Sequence, residues 1–298
     1  MVGSIYLSEI NQFSGAPSTL RAFLGDVKNR QLQGPLTQAI VLDFVRFRNA
    51  TANCRAVRYG VLRRFAEYFA VYDSRTERLD PRALPRSRAI PPPRILTDQE
   101  LRSLLAAADG ISRYPLRGRT LATIIGLLAS TGLRSGEARR LDRMDVDLNE
   151  GVLHVRKTKF RKDRLVPVHA TTLAVLRRYS RFRDRAFPQP KCPAFFLSLR
   201  GNRLCSAALY VALHQACELA GLNQHGLKPL RPHDLRHRFV VTRLESWHRQ
   251  NADVQTLLPL LATYLGHARY TDTAYYVTGT AELLGVAARR AFGNGGAS

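Results

Sequence analysis

The stretch RPHDLRH groups residue types that suit phosphate chemistry. Pro232 fits the first turn of a helix, so His233, Arg236 and His237 then lie within one helical turn of each other. Arginine binds two phosphate oxygens at once, and histidine transfers protons near neutral pH. The spacing of the two histidines is also that of a zinc-binding helix. The charges of Arg236 and Arg238 and the lack of a third ligand pattern disfavour a metal ion.

A second arginine lies in the stretch STGLRSGEARRL. Gly132 and Gly136 predict a corner between two helices, from which Arg134 can point into a cleft and clamp a phosphate. Taken alone, an arginine in a turn is more often a surface residue. We interpret Glu137, and Asp234 in the first stretch, as acids that orient neighbouring arginines rather than as proton donors.

Two adjacent tyrosines, Tyr275 and Tyr276, follow the pair Gly266-His267. A phenolic oxygen can attack a phosphate and hold it covalently. Packing in a core is the alternative, and the residues alone do not decide between the two. Because side chains of adjacent helical residues point about 100° apart, only one of these tyrosines can face a given phosphate.

The segment GVLHVRKTKFRKDRLVPVH predicts a hairpin, with strands over 152–155 and 164–168 joined by a basic turn. A lysine in such a turn can protonate a leaving oxygen. The basic residues of the hairpin are Arg156, Lys157, Lys159, Arg161 and Lys162. We expect Lys157, Arg161 and Lys162 to contact DNA.

The chain carries 46 Lys and Arg against 23 Asp and Glu, a formal net charge of +23. Nucleic acid is the expected partner, because Arg and Lys bind phosphates and release their counterions. The longest apolar run is too short to span a membrane, and the first residues lack the pattern of a signal peptide. We therefore expect a soluble protein of the cytoplasm that associates with the nucleoid.

Four cysteines, Cys54, Cys192, Cys205 and Cys217, form no C-x-x-C pair and are irregularly spaced. This spacing disfavours both a structural zinc site and a disulfide framework. They are predicted to be buried thiols in a reducing compartment.

The elements that position these residues divide at a linker rich in proline and arginine, residues 81–96. Residues 1–80 show helical spacing, and the third helical segment carries an apolar stripe of Val57, Leu62, Phe65 and Phe69. The arginines predicted to face DNA are Arg55, Arg58 and Arg63 in this domain and Arg82, Arg86 and Arg88 in the linker.

The second domain, residues 97–298, opens with a capping box from Thr97 to Glu100. It is mostly helical and contains the hairpin. The predicted fold is therefore mainly α with a small antiparallel β-hairpin, arranged as a small helical domain and a larger mixed domain.

Four stretches, TGLRSGEARRL, KTKFRKDRLVPVH, PHDLRH and LGHARYTDTAYY, resemble the motifs of the tyrosine recombinase (phage integrase) family in order and spacing. The resemblance covers residues 97–292, and it extends more loosely to the first domain as a core-binding domain. It implies the catalytic residues Arg134, Lys159, His233, Arg236, His267 and, as nucleophile, Tyr276. The family's tyrosine lies three residues after a threonine, here Thr273, which favours Tyr276 over Tyr275. Lys157 and Lys162 are rivals to Lys159.

The resemblance also implies the reaction. Tyr276 would attack the scissile phosphate to give a 3′-phosphotyrosyl link and a free 5′-hydroxyl, with no ATP, metal ion or other cofactor. The substrate would be a specific double-stranded DNA site, bound by a tetramer that assembles on two such sites through the helix after the nucleophile. Whether that helix docks on its own domain or on a neighbour stays open, as does a need for accessory recombinases or DNA-bending proteins.

Several biological roles fit the same residues: integration, excision or resolution of a mobile element or plasmid. The segment ESWHRQNADVQTLLPLLATYLGH resembles transposon-borne and plasmid-borne members more than the Xer type. Two alternatives are a topoisomerase-like enzyme that nicks and reseals one duplex, and a DNA-binding regulator without chemistry. The complete set of polar residues with Tyr276 disfavours the regulator.

Overall fold

A computed structural model of the chain describes residues 17–47, 50–84, 93–156, 163–223 and 228–266. The chain forms two compact units, Met1–Pro91 and Pro92–Ser298. None of the helices in the described ranges combines the length and the apolar character that crossing a membrane requires.

The described part of the first unit contains three helices: α1 (Pro17–Asn29), α2 (Gln38–Phe47) and α3 (Ala52–Phe69). Leu62, Phe65 and Phe69 of α3 are buried, as their spacing predicts. The expectation for Val57 is wrong, because this side chain is 64% exposed. Tyr59, one turn before Leu62, is buried instead, and its hydroxyl donates a hydrogen bond to the carbonyl of Asp80 at 2.8 Å.

The described part of the second unit is mostly helical and includes three short strands. Its elements in chain order are α4 (Asp98–Asp109), α5 (Pro115–Thr131), α6 (Ser135–Arg140), a 3₁₀ turn (Arg143–Asp145), β1 (Val146–Asp147), β2 (Val152–Val155), β3 (Arg164–Pro167), α7 (Ala170–Ala186), α8 (Ser206–Leu219), α9 (Pro232–Arg249) and α10 (Val254–Leu265). This architecture confirms the predicted fold class of helices with a small antiparallel sheet.

The predicted capping box opens α4. The Thr97 hydroxyl accepts the backbone N–H of Glu100 at 3.1 Å, and the Glu100 carboxylate accepts the backbone N–H of Thr97 at 2.8 Å. Each side chain satisfies a backbone donor that the first helical turn leaves without a partner, so α4 begins where the sequence indicates.

The sheet has the order β1-β2-β3, and both pairs of strands are antiparallel. Leu153 pairs with Val166, and both side chains are buried in the core of the unit. The sequence did not predict β1, since two residues are too few to show an alternating pattern. Strand β3 begins at Arg164, so its first residue directly follows the basic turn of the hairpin.

Helix α5 is the central helix of the second unit and packs against α4, α7 and α9. Most of its side chains are buried, because apolar residues occur on all of its faces. It ends at Gly132, whose φ of 65° is a left-handed conformation. A Cβ at this position would lie 2.5 Å from the ring of Phe239 and 2.8 Å from Leu265, so the packing also requires glycine. The turn that follows carries Arg134.

Both ends of the predicted linker pack against their own unit. Leu84 contacts the core of the first unit. Arg94 is buried in the second unit and donates to the carbonyl of Leu222 at 2.7 Å, and Leu96 lies in the core of that unit. Residues 85–92, which include Arg86 and Arg88, lie outside the described residues.

The prediction that all four cysteines are buried is wrong. Cys217 is buried and Cys54 and Cys192 are partly buried, whereas Cys205 is exposed. Cys205 precedes α8, and its sulfur accepts the backbone N–H of Ala208. A residue in this capping position stays at the surface because the first turn of α8 is itself exposed.

Candidate active site

Three arginines bind the C-terminal end of α10. Arg164 Nε donates to the carbonyl of Tyr264 at 2.8 Å, Arg236 Nη2 to that of Leu265 at 3.0 Å, and Arg134 Nη2 to that of Gly266 at 3.2 Å. The last carbonyls of a helix lack partners within the helix and carry the negative end of its dipole. Guanidinium groups from β3, α9 and the start of α6 therefore meet directly before His267.

Arg134 is the residue that precedes α6, and its side chain is 36% exposed. Its Nη1 donates to Glu137 Oε1 at 2.9 Å, while its backbone N–H donates to Glu137 Oε2 at 3.1 Å. The carboxylate thus fixes the guanidinium, as expected for an orienting acid. Part of the side chain remains accessible to an external phosphate.

Arg236 lies on α9 and is fully buried. Its Nη1 donates to the carbonyl of Gly132 at 2.7 Å, in addition to the bond from Nη2 to Leu265. The carbonyl of Gly132, in the left-handed turn, therefore binds Arg236. The same turn leads to Arg134, the second catalytic candidate. The structure buries Arg236 more deeply than its sequence motif indicated.

Glu137 is a buried acid of the site, with a side chain that is 2% exposed. Arg164 makes a bidentate contact with this carboxylate, with Nη1 at 3.3 Å from Oε1 and Nη2 at 2.9 Å from Oε2. Burial raises the pKa of Glu137, but the hydrogen bonds and charge of Arg164, followed by those of Arg134, outweigh it and lower the pKa to about 2. The carboxylate stays ionised at neutral pH.

Arg164 is the site residue that sequence reasoning missed. The sequence pattern indicates only that it begins a strand. Its side chain is 11% exposed, which is unusual for an arginine at the edge of a basic hairpin. The signal that could have identified it is its position next to the hairpin turn in a strand that is otherwise apolar.

His233 lies in the first turn of α9 and is accessible to solvent. Its pKa is lowered, first by desolvation from the protein groups around the ring and then by the positive charge of Arg236. A neutral imidazole at pH 7 can accept a proton, as a general base must. The neighbouring Asp234 is buried and binds Arg231, with Oδ1 at 2.8 Å from Nη2. It therefore orients Arg231.

The rings of His233 and His237 are in edge contact, with centroids 4.6 Å apart. Among the described residues, no group of three or more His, Cys, Asp or Glu side chains is placed to hold a metal ion. The two histidines form a T-shaped ring pair on α9. The charge of Arg236, one of the arginine cluster of Arg134, Arg164 and Arg236, acts on both rings.

The stability of the second unit should depend on pH through His237. Burial, and then the charge of His233, lower the pKa of His237 from 6.5 to about 4. An unfolded chain binds the proton more readily, so the contribution to stability is complete above pH 6.5 and is lost as the pH falls towards 4. Between pH 7 and pH 5 we expect the loss of unfolding free energy from this group to be on the order of 2 kcal/mol.

Denaturant unfolding of wild type and His237→Gln at the two pH values measures this effect. The variant should show a smaller loss. His248→Gln is the matched control, since His248 is exposed on the same helix. Equal pH dependence in wild type and His237→Gln would contradict the assignment.

The remaining predicted site residues divide into two groups. Four of them lie in the first unit: Arg55 donates from Nε to the carbonyl of Ala50, Arg63 pairs with Glu67, Arg58 is partly buried and Arg82 is exposed. The others lie outside the described residues, and for them the assignment stays a prediction: Arg86, Arg88, Lys157, Lys159, Arg161, Lys162, His267 and Tyr276.

Arginines that converge on one helix end, with a histidine of lowered pKa on α9, define a candidate site for phosphoryl transfer. The sequence model of the phage integrase family matches residues 94–282, which include the whole of this cluster. The chain therefore belongs to the phage integrase family, and it is a site-specific recombinase of the tyrosine type.

Two relatives show where the chain lies within this family. It is 62% identical to y4rE of Sinorhizobium fredii, which is named as an integrase/recombinase, over 96% of this chain and 92% of that protein. It is 33% identical to the tyrosine recombinase XerD of Ralstonia nicotianae, over 66% of this chain and 60% of that protein. The greater similarity to y4rE confirms the prediction that the chain is closer to members outside the Xer type.

Solved structures share the fold. The Tn1549 transposon integrase in complex with transposon right end DNA superposes with a TM-score of 0.62 and 16% identity, covering 90% of this chain and 92% of that one. A lambda integrase from a tetramer bound to a Holliday junction gives a TM-score of 0.57 and 19% identity, covering 85% of this chain and 72% of that one.

Proposed function

We propose that this recombinase inserts or excises a mobile DNA element, with Tyr276 as the nucleophile. Tyr276 attacks the scissile phosphate, forms a 3′-phosphotyrosyl bond and releases a 5′-hydroxyl. The 5′-hydroxyl of the partner strand then attacks the phosphotyrosyl bond and restores a DNA phosphodiester. The transposon integrase with the same fold supports a mobile element as the substrate.

The observation that carries this proposal is the convergence of Arg134 and Arg236 on neighbouring carbonyls at the end of α10. Charge grows on the non-bridging oxygens as a phosphate is attacked, and fixed guanidinium groups stabilise that charge. We assign direct contact with the phosphate to Arg134, because its side chain is partly exposed. Arg236, which is buried, fixes the turn at Gly132 and adds positive charge beneath the site.

Proton transfer is assigned to the remaining catalytic residues. His233 has a lowered pKa and therefore assists removal of the proton from Tyr276. Lys159 protonates the leaving 5′-oxygen, and His267 binds a non-bridging oxygen. No step consumes an ester bond without forming another, so the exchange needs no ATP.

A nicked duplex from the flanks of the chain's own gene tests this function. A nick is placed in the cleaved strand just 3′ of the scissile phosphate. After cleavage the short fragment with the free 5′-hydroxyl dissociates, so rejoining fails and the protein–DNA adduct accumulates. We expect an adduct that resists detergent and disappears with protease. Absence of any adduct with nicks tiled across both flanks would contradict the proposal.

We propose that the first unit is the core-binding domain and that residues 81–96 join it to the catalytic domain, residues 97–298. The first unit and the linker contribute Arg55, Arg58, Arg63, Arg82, Arg86 and Arg88 to DNA contact, and the hairpin contributes Lys157, Arg161 and Lys162. The net charge of +23 supports phosphate contact along both units. Since the substrate is DNA, the enzyme works in the cytoplasm at the nucleoid.

Exchange between two duplexes breaks and rejoins four strands, and each copy of the chain supplies one nucleophile. We therefore propose that a tetramer acts on two sites. The apolar stripe of Leu284, Ala287, Ala288, Ala291 and Phe292, which lies outside the described residues, is assigned to contact with a neighbouring copy.

Truncation after Gly279 should leave binding of one copy to a half-site almost unchanged. It should abolish cooperative binding to a full site and strand exchange between two sites, because the contact with the neighbour is gone. Gel-shift titration and a two-site recombination assay measure these properties. Unchanged cooperativity would reject the contact between copies, whereas loss of half-site binding would assign the segment to its own domain.

A further inference from the structure

Arg164 joins three elements of the catalytic unit at one point. It is the first residue of β3, it binds the carboxylate of Glu137 in α6, and it binds the carbonyl of Tyr264 in α10. Only 11% of its side chain is exposed. The guanidinium of Arg164 is therefore bound to protein groups. Arg164 can affect catalysis only through those groups.

The Glu137 carboxylate is shared between Arg164 and Arg134. Oε1 accepts from Arg134 Nη1 at 2.9 Å and from Arg164 Nη1 at 3.3 Å. Oε2 accepts from the Arg134 backbone at 3.1 Å and from Arg164 Nη2 at 2.9 Å. A planar fork on a carboxylate fixes the orientation of that carboxylate. The position of Arg134 therefore depends on Arg164 through Glu137.

Gly266 is held between the same two arginines. Its φ is 66°, and a Cβ there would lie 2.7 Å from Arg164 Nη1 and 2.9 Å from Cζ. The guanidinium of Arg164 thus packs directly on the backbone of Gly266, whose carbonyl accepts from Arg134. Gly266 is the residue before His267, so Arg164 also fixes the last described backbone position before that catalytic candidate.

We propose that Arg164 is a positioning residue for DNA strand cleavage. It does not touch the phosphate. It holds Arg134 and the end of α10 in register with the hairpin whose turn carries the candidate lysine. This inference rests on the proposed function, because it assigns Arg164 to the cleavage step at that same site.

Arg164→Lys is the test variant, since lysine keeps the positive charge but cannot bind a carboxylate and a carbonyl with a rigid fork. Single-turnover formation of the adduct on the nicked duplex should be slower by about 10-fold or more at saturating protein, the scale of coupling between polar groups in contact. The protein concentration that gives half the maximal rate should be unchanged. A change in that concentration alone would overturn the proposal, because it would place Arg164 in DNA binding.

Arg238→Lys is the matched control for loss of a buried arginine fork. Arg238 is 9% exposed in its side chain, and it also binds one carbonyl, that of Leu96 at 3.0 Å, and one carboxylate, that of Asp98. Its partners lie at the start of α4 and outside the arginine cluster. We expect both variants to melt at lower temperature and only Arg164→Lys to cleave slowly. An equal loss of cleavage in both would reduce Arg164 to a structural residue.

The dependence on Arg134 gives a second, independent readout. In an Arg134→Ala background, Arg164→Lys should slow cleavage little further, since the side chain that it positions is absent. Losses that multiply in the double variant would overturn the proposal. If Arg164→Lys does not fold, Glu137→Gln interrupts the same connection and should also slow cleavage by about 10-fold without altering half-saturation.

Wild-type protein in the same assay separates the positioning role of Arg164 from the proposed function. An adduct with wild type and a normal rate with Arg164→Lys would overturn the positioning role alone. No adduct with wild type on any nicked duplex would overturn the proposed function and, with it, the role of Arg164.

Discussion

Tyr276→Phe should abolish the covalent protein–DNA adduct while leaving DNA binding almost unchanged. The substitution keeps the aromatic ring and removes only the hydroxyl, so the attacking oxygen is lost with little other change to the side chain. We expect a fall of at least about 10³-fold in adduct formation, the scale of removing a nucleophile. Adduct formation on the nicked duplex and a gel shift on an intact one measure the two properties.

Tyr275→Phe is the matched control for this prediction. It removes the same atom from the neighbouring residue, which the spacing from Thr273 does not favour as the nucleophile. It should form the adduct at the normal rate. An adduct in Tyr276→Phe together with its loss in Tyr275→Phe would move the nucleophile by one residue and would contradict the spacing from Thr273.

Local sequence rules predicted the elements that carry the described site. The capping box at Thr97 begins α4, and Pro232 opens α9 in its first turn. The glycine corner at Gly132 brings Arg134 to the start of α6. These features depend on a few consecutive residues, and each has a steric or hydrogen-bonding cause that acts within one turn of helix. Such local features can therefore be predicted directly from the sequence.

The contacts that join separate elements could not be predicted from the sequence in the same way. Arg164 reaches Glu137 and Tyr264, which are 27 and 100 residues away along the chain. No periodicity in the sequence relates a strand residue to the last carbonyls of a helix. The complete burial of Arg236 could not be predicted for the same reason. Its partners belong to the ends of α5 and α10, which are distant from it in the sequence. Spacing predicts which face a residue occupies, and packing decides what covers that face.

Arg134 and Arg236 consequently differ as targets for mutation. Arg236 is fully buried and holds the ends of two helices, so Arg236→Ala should lower stability as well as cleavage. Arg134 is 36% exposed, and its protein partners are one carboxylate and one carbonyl. A substitution of Arg134 therefore changes the site with less effect on the fold, and it is the sharper test of phosphate binding.

Arg134→Ala should reduce adduct formation by at least about 10²-fold, the cost of removing one donor that stabilises the developing charge. Arg134→Lys should restore little of this rate. An ammonium is a point charge that cannot hold Glu137 and the carbonyl of Gly266 while also presenting donors to two phosphate oxygens. Single-turnover rates at saturating protein measure both variants.

Arg177→Ala is the control for loss of one positive charge in the same unit. Arg177 lies on α7, is exposed, and donates to the carbonyl of Leu148 at 2.7 Å, in the turn between β1 and β2. It should cleave at the normal rate. If Arg134→Lys cleaved as fast as wild type, charge alone would suffice at this position. The contacts with Glu137 and Gly266 would then have no part in orienting Arg134 for catalysis, and the assignment of Arg134 as a phosphate clamp would be wrong.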